Sequence, residues 1–506
     1  MMMVFQTDSL RDYLVRFART LAVCCVSSLL VACMVGPDYV KPEIDVGSGF
    51  KETPGWKVAE PAANEPRSPW WLMYQDDVLT QLMQELNQSN QNIAQAEARF
   101  RQAVAITQGA RSPLYPTLSA TGSMNRTGGS TISATGATSS TALTTYGANA
   151  VVASWQIDIW GSIRRNIEST DASELALAAD VAGARLTAQS AMALSYLQVR
   201  VLDEQRRLLT ATLAAYQRSL TLTQNRYDAG MSGKGDVAVA RTQYESTRAQ
   251  LIDLEQQRAI YENAVAVLLG RAPSTFSIKD TKLNTYVPVA PVGLPSALLE
   301  RRPDVSAAER RTAAANAQIG VATAAWFPSL TINGNTGYRS TDFTQWFTAP
   351  AQFWALGPQL AMLILDGGAR QAAIAQASAG FDLQVAIYRQ TVLQALQEVE
   401  NAMVQMRVFQ QEEEVQRLAV QAAQESLRLA RNQYDQGLID YLSVAVLETT
   451  ALNNERTYIT LMGNRLSASV RLIAALGGGW STEDLKQLDA SGNPSANPSN
   501  SVPTNR

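Results

Sequence analysis

The chain contains no histidine. That excludes a Ser-His-Asp catalytic arrangement, imidazole metal ligation and imidazole pH sensing. Cysteine is nearly absent as well: Cys24, Cys25 and Cys33 all lie within the first 33 residues. A mature chain starting at or after Cys33 therefore holds no internal disulfide and no thiolate metal cluster. There is no excess of positive charge. The formal net charge is -3, so no basic footprint points to nucleic acid. The first apolar run, residues 21–32 (LAVCCVSSLLVA), has the length of a signal h-region, and no later run of 18 apolar residues offers a transmembrane helix. Acidic residues are scattered along helical faces with no convergent pair, and the glycines at 367–368 and 477–479 lack phosphate-loop spacing and read as hinges. No enzyme, cofactor or metal site is expected. Proline, finally, is missing from 117–272 and from 359–493. A proline inside a helix costs about 3 kcal/mol, so these two spans are where long helices fit. At roughly 1.5 Å per residue, the stretch 164–227 would reach on the order of 90–100 Å.

What is present begins with an export signal. Arg11, Arg16 and Arg19 precede the apolar run, which closes on LVAC with Ala32 before Cys33. This resembles a bacterial lipobox, in which Cys33 is lipidated and becomes the first mature residue; the alternative is an ordinary signal peptide that happens to contain a cysteine. Met34 is not aspartate, which in lipoproteins generally favours the outer membrane.

The chain then says most things twice. NRYDAG (225–230) returns as NQYDQG (432–437), DIWGSIR (158–164) answers ILDGGAR (364–370), and YPTLSATG (115–122) answers FPSLTING (327–334). A ladder alternating three and four residues runs Val237, Ala240, Tyr244, Thr247, Leu251, Leu254, Arg258, Tyr261, Val265, Leu268. Shifted by 207 it runs from Val444 to Ala475, and an earlier ladder runs from Leu202 to Tyr227. A 3.5-residue period predicts left-handed coiled-coil packing. Tyr227 and Tyr434 read as the last apolar anchors of two ascending helices, and Gly230 and Gly437 as the left-handed residues that end them. The chain thus makes one helical hairpin twice.

Alternation with period two marks strands at 115–125, 149–159 and 330–338, with a fourth apolar segment at 352–365 interrupted by Pro358. Stretches of about ten residues cross a bilayer at a tilt, and the aromatics near their ends resemble the girdle of outer-membrane barrels. The Ser-, Thr-, Gly- and Ala-rich stretch 127–145 reads as a solvated loop. Four strands cannot close a barrel in lipid, so either the sheet is soluble or several chains pool their strands. Three copies would give twelve strands above a ring of helices.

One block is specific: residues 294–338, LPSALLERRPDVSAAERRTAAANAQIGVATAAWFPSLTINGNTGY. It resembles TolC-like outer-membrane factors, of the NodT type found as lipoproteins in resistance-nodulation-division efflux systems. CMVGPDYVKPE from Cys33 and the two hairpin tips resemble the same family. The resemblance implies an α+β membrane protein with two structural repeats, each giving a β-hairpin to a trimeric 12-stranded barrel and long coiled-coil helices to a periplasmic α-helical barrel. It implies a homotrimer meeting a periplasmic adaptor protein and, through it, a proton-driven inner-membrane pump, with drugs, metals or other small toxic compounds leaving through the lumen of an outer-membrane channel. The expected layout is a signal peptide (1–32), a lipidated extended segment (33–70), a first repeat (71–272), a linker (273–294), a second repeat (295–480) and a disordered tail (481–506). The family's gate lies at the second tip, where Leu442 is expected to form a hydrophobic ring and Asp440 to attract cations or form a salt bridge; Val446 stands where members often carry an acid. Read without the family, Leu442 is a packing residue and Asp440 a solvated turn acid. Arg301-Arg302-Pro303-Asp304 reads as a helix start. The competing reading of the whole is a periplasmic coiled-coil scaffold or adaptor lipoprotein without a pore.

Overall fold

A computed structural model describes residues 34–44, 46, 50–51, 69–132, 138–288 and 301–480. The expected signal peptide, Cys33, part of the linker and the tail lie outside the described residues.

Two pairs of helices dominate. α3 (Ser162–Asp228) and α6 (Ala369–Asp435) are each 67 residues long; α4 (Lys234–Leu268) and α7 (Tyr441–Ala475) are each 35. Every boundary of the second pair is that of the first plus 207, the spacing of the doubled hexapeptide. Part of the apolar ladder is buried: Ala240, Thr247, Leu254 and Val265 in α4, and Val444, Ala451, Ala468, Leu472 and Ala475 in α7; α7 also buries residues off the ladder, among them Leu452, Ile459, Leu466 and Ile473.

The turns after these helices share one chemistry. Gly230 and Gly437 have φ of 74° and 75°. Gly230 N–H donates to the Tyr227 carbonyl at 2.8 Å and Met231 N–H to Arg226 at 2.8 Å; Gly437 and Leu438 repeat this with Tyr434 and Gln433 at 3.0 and 2.9 Å. These are the paired bonds of a Schellman cap, for which glycine supplies the left-handed residue at least cost. The Leu-Gly stops after α4 and α7 are capped the same way, with Gly270 and Gly477 at φ of 68° and 93°. An aspartate opens each of the long helices. Asp158 accepts from the Ile163 and Arg164 amides, and Asp366 from the Gly368 and Arg370 amides.

The strands are β1 (Thr117–Ile132), β2 (Thr138–Ile157), β3 (Ser329–Ser340) and β4 (Gln352–Ala361). They form one antiparallel sheet in the order β1-β2-β3-β4. Two expectations are corrected here. Residues 127–132 and 138–145 are strand, paired in register out to Ile132 opposite Thr138. Backbone pairing needs no apolar side chains; alternation marks only the part of a strand with an apolar surrounding to face. Nor does Pro358 interrupt β4, where it sits opposite Ile332. β4 is an edge strand, where a residue without an N–H is tolerated. The remaining helices are α1 (Asp77–Ser89), α2 (Gln91–Arg111) and α5 (Pro303–Ala324).

By internal contacts the chain divides into two units. One holds the sheet, Arg101–Ala176 and Ala308–Ile387, with the described residues up to Pro42. Its helices meet through small side chains, Ala172, Ala313 and Ala314, against Tyr39. The other holds Glu43–Phe100, Leu177–Ala307 and the chain from Tyr388 onward. Its core is larger, with Trp70, Trp71, Tyr74, Met192, Tyr196, Met403, Leu466 and Val470 buried together.

Candidate functional site

The sheet has two chemically different faces. Cross-strand rows such as Leu118–Ala153–Gly334–Leu356 lie on one face, and Ile157–Leu330–Leu360 on the same one. Its large side chains are bare: Leu118 is 71% exposed, Trp354 76% and Leu360 68%. The other face is polar and bonded to itself. Ser154 Oγ donates to Asn333 Oδ1 at 3.0 Å, Asn333 Nδ2 to Gln359 Oε1 at 3.1 Å, and Asn149 Nδ2 to Thr121 Oγ1 at 2.8 Å. Among the described residues β1 and β4 are each paired on one side only. The sheet is thus apolar on one face, polar on the other and, among the described residues, unpaired at both edges. No helix among the described residues is long and apolar enough to cross a membrane.

The second hairpin tip, in the other unit, is built around two tyrosines. Tyr434 and Tyr441 are buried edge to face, 5.6 Å between ring centroids, with Ala240, Val444 and Ala445. The Arg226 guanidinium lies over the Tyr434 ring at 4.4 Å. Two turns along α7 from Tyr441, the Glu448 carboxylate is buried and takes Arg431 Nη2 at 2.9 Å and the Tyr441 hydroxyl at 3.4 Å. Burial, reinforced by this carboxylate, pushes the Tyr216 and Tyr441 phenols above their ordinary range, and both stay neutral. The doubled sentence is therefore asymmetric in its packing. Tyr434 is buried, whereas Tyr227 is 40% exposed in the single chain. Tyr434 has Tyr441 to stack on, while the position that repeats Tyr441 is Lys234.

Asp440 is the N-cap of α7. Its Oδ1 accepts from the Ser443 amide at 3.0 Å and the Ser443 hydroxyl at 2.6 Å. Leu442 and Val446 point outward, 52% and 57% exposed. The family resemblance singled out Leu442 and Asp440, but not Arg431, Arg226 or Tyr216. Arg431 comes from the same α6 as Tyr434, while Arg226 and Tyr216 are brought to this tip from α3 by the fold. Arg302 is half of another such node. Pro303 opens α5, Asp304 accepts from the Val305 amide, and the buried Arg302 guanidinium reaches Asp304, Glu398 and the carbonyl of Ala475 at the end of α7. This motif starts one helix and caps another.

The family model described as Outer membrane efflux protein matches residues 82–271 and 294–478, one match per repeat. The chain belongs to this family. It is 30% identical over 484 residues to the probable efflux pump outer membrane protein TtgC of Pseudomonas putida, covering 91% of this chain and 95% of the relative. It is 30% identical over 425 residues to Nodulation protein T of Rhizobium leguminosarum bv. trifolii, covering 83% and 88%. The solved outer-membrane channel OprN superposes with a TM-score of 0.83 at 28% identity, covering 88% of this chain and 100% of that one. The α+β architecture of two repeats, each with its own hairpin and long helices, is thus that of an outer-membrane factor. The chain is an outer-membrane efflux channel of the tripartite kind. The scaffold without a pore is set aside.

Proposed function

We propose that three copies of this chain close one 12-stranded barrel in the outer membrane, anchored by an acyl group on Cys33 after removal of residues 1–32. The observation that carries this is the four-stranded sheet with a bare apolar face, a hydrogen-bonded polar face and, among the described residues, two unpaired edges. An unpaired strand edge in lipid leaves several kcal/mol per backbone group unmet, so only closure is stable there. The polar face then lines a water-filled lumen. The 67-residue helices continue the duct through the periplasm toward an adaptor protein and a proton-driven pump of the inner membrane. Drugs, metals or other small toxic molecules leave by this route, and the protein contributes passage, not chemistry. The boundaries 33–70, 71–272, 273–294, 295–480 and 481–506 are the layout that goes with this reading. The tip is its gate, with Leu442 facing the axis and Asp440 beside it. Purified protein should run as a heat-modifiable trimer, resist extraction by sarkosyl and conduct ions in planar lipid bilayers. A stable single copy that conducts nothing would overturn the proposal.

A further inference from the structure

The residues after Cys33 are held by a socket built for them. Arg165, in the first turn of α3, has a side chain only 1% exposed. Its Nε donates to the Val35 carbonyl at 3.2 Å, its Nη2 to the Gly36 carbonyl at 3.1 Å and to Asp38 Oδ1 at 2.8 Å, and its Nη1 to Glu168 Oε2 at 2.8 Å. A buried guanidinium is tolerated where its donors are met, and here three of the four acceptors belong to residues 35–38. The segment is gripped from other sides too. Val35 N–H donates to the Trp160 carbonyl at 3.1 Å, Asn316 Nδ2 to the Pro37 carbonyl at 2.9 Å, and the Tyr39 hydroxyl to Glu309 Oε1 at 2.7 Å. Glycine makes the close approach possible. Gly36, at φ 94°, lies against the Cα of Gly320; a side chain at Gly320 would strike Arg165, and one at Gly161 would strike Met34. A loose tether between a lipid and a barrel needs none of this.

The place where the segment ends has its own chemistry. Met34 lies on Gly161, next to Trp160, whose ring stacks on Phe327 at 4.6 Å and whose Nε1 donates to the Pro328 carbonyl at 2.8 Å. These residues stand where β2 ends and β3 begins, the level at which an aromatic girdle meets the lipid interface. Cys33 is the residue that precedes Met34 in the chain.

We propose that residues 34–39 are a strap, and Arg165 its positioning residue, that fixes the point at which the Cys33 acyl group enters the membrane beside the Trp160–Phe327 pair. This rests on the reading of Cys33 as lipidated. The test uses the full-length protein in cells fed a fatty acid carrying an alkyne and a diazirine near its carboxyl end. After irradiation, cross-linked peptides are mapped by mass spectrometry. Two variants are compared with the parent: Arg165→Ala, and a chain with a flexible spacer of about ten residues, headed by methionine and otherwise Gly and Ser, between Cys33 and Met34. The spacer touches no packed residue, so it remains informative if Arg165→Ala does not fold. The parent is expected to concentrate cross-links on the peptides holding Trp160–Gly161 and Phe327–Pro328. The spacer variant, equally acylated, should lose them several-fold, and so should Arg165→Ala. Acylation with scattered cross-links in the parent, or an unchanged pattern with the spacer, overturns the strap. Absence of any label on Cys33 removes the lipid reading, and the strap's role with it.

Discussion

Arg226 at the end of α3 covers the ring of Tyr434 at the end of α6, its guanidinium carbon 4.4 Å from the ring centroid, and its Nη1 donates to the Tyr434 carbonyl at 3.3 Å. Two helices that never adjoin in sequence are thus fastened at their last turns, where the tips would part on opening. A cation over an aromatic face contributes about 1 kcal/mol at such a half-exposed site. Arg226→Ala should therefore shift the channel toward its open form by roughly five-fold, read as open probability in bilayers. Arg226→Lys, which keeps the charge but loses the planar fork, should fall between. Equal open probability in all three would show that this contact does not restrain the tip.

The two roles proposed for Asp440 can be separated. Its carboxyl is held below the ordinary carboxylate range, first by the Ser443 hydroxyl and then by the Ser443 amide. A depressed value means that the capping contribution is complete above the unfolded pKa, about 3.9, and is lost as pH falls through the lower folded value. The cap should thus be insensitive to pH from neutral down to mild acid. Asparagine caps as well as aspartate, so Asp440→Asn should preserve the tip and change only the preference for cations, whereas Asp440→Ala should disturb both. If reversal potentials in a salt gradient are the same for Asp440→Asn and the parent, the charge does not select ions. Leu442→Ala should raise open probability, and no rise would remove Leu442 from the gate.

The sequence carried the repeat well because repetition is written in local chemistry. A glycine three residues after a tyrosine, twice, became two Schellman caps, and the three-four ladder supplied part of the buried surface of α4 and α7. It carried the strands only where they had an apolar face. The hydroxyl-rich ends of β1 and β2, with no such face, looked like a loop. It was silent on contacts assembled from distant segments. Nothing around Arg165 distinguishes it from the neighbouring Arg164, which stays on the surface of the same turn paired with Asp158. Nor does the doubled tyrosine reveal that one copy is buried and the other is not. That difference is set beyond the turn, by the first residue of the next helix: Tyr441 offers Tyr434 a ring to pack on, and Lys234 offers Tyr227 none.

Glu448 should prove structurally more sensitive than its neighbours on the tip. It accepts from Arg431 and Tyr441, and the Tyr216 hydroxyl, buried without a hydrogen-bond partner among the described residues, lies close enough to feel its charge. Arg431 is half exposed and can turn to water; the Tyr441 phenol cannot. Glu448→Ala should cost about 1.5–3 kcal/mol, the range for losing hydrogen bonds to a buried charged group. Glu448→Gln, which keeps an acceptor, should cost less. The temperature at which the trimer is lost in detergent gels ranks them, since membrane assemblies unfold irreversibly and only an operational midpoint is meaningful. An alanine variant as heat-resistant as the parent would show that the carboxylate does not hold the tip together.

Gly463 poses the clearest test of close packing between repeats. It sits inside α7, where glycine costs about 1 kcal/mol relative to alanine, and its repeat position 207 residues earlier is Gln256, exposed on α4. What forbids a side chain at Gly463 is Val201 of α3, whose methyl group occupies the space a Cβ would need. Gly463→Ala gains helix propensity but overpacks a buried contact, for which the usual loss is about 1–3 kcal/mol. A net loss of heat resistance is expected. Val201→Ala alone empties space and should also destabilise. Together the new methyl at 463 occupies what Val201 vacates, so the double variant should be more stable than the two single losses added together by about 1 kcal/mol, within the range of coupling between touching residues. Simple additivity in the trimer's loss temperature would mean that the helices relax apart and that Gly463 is held by something other than the approach of Val201.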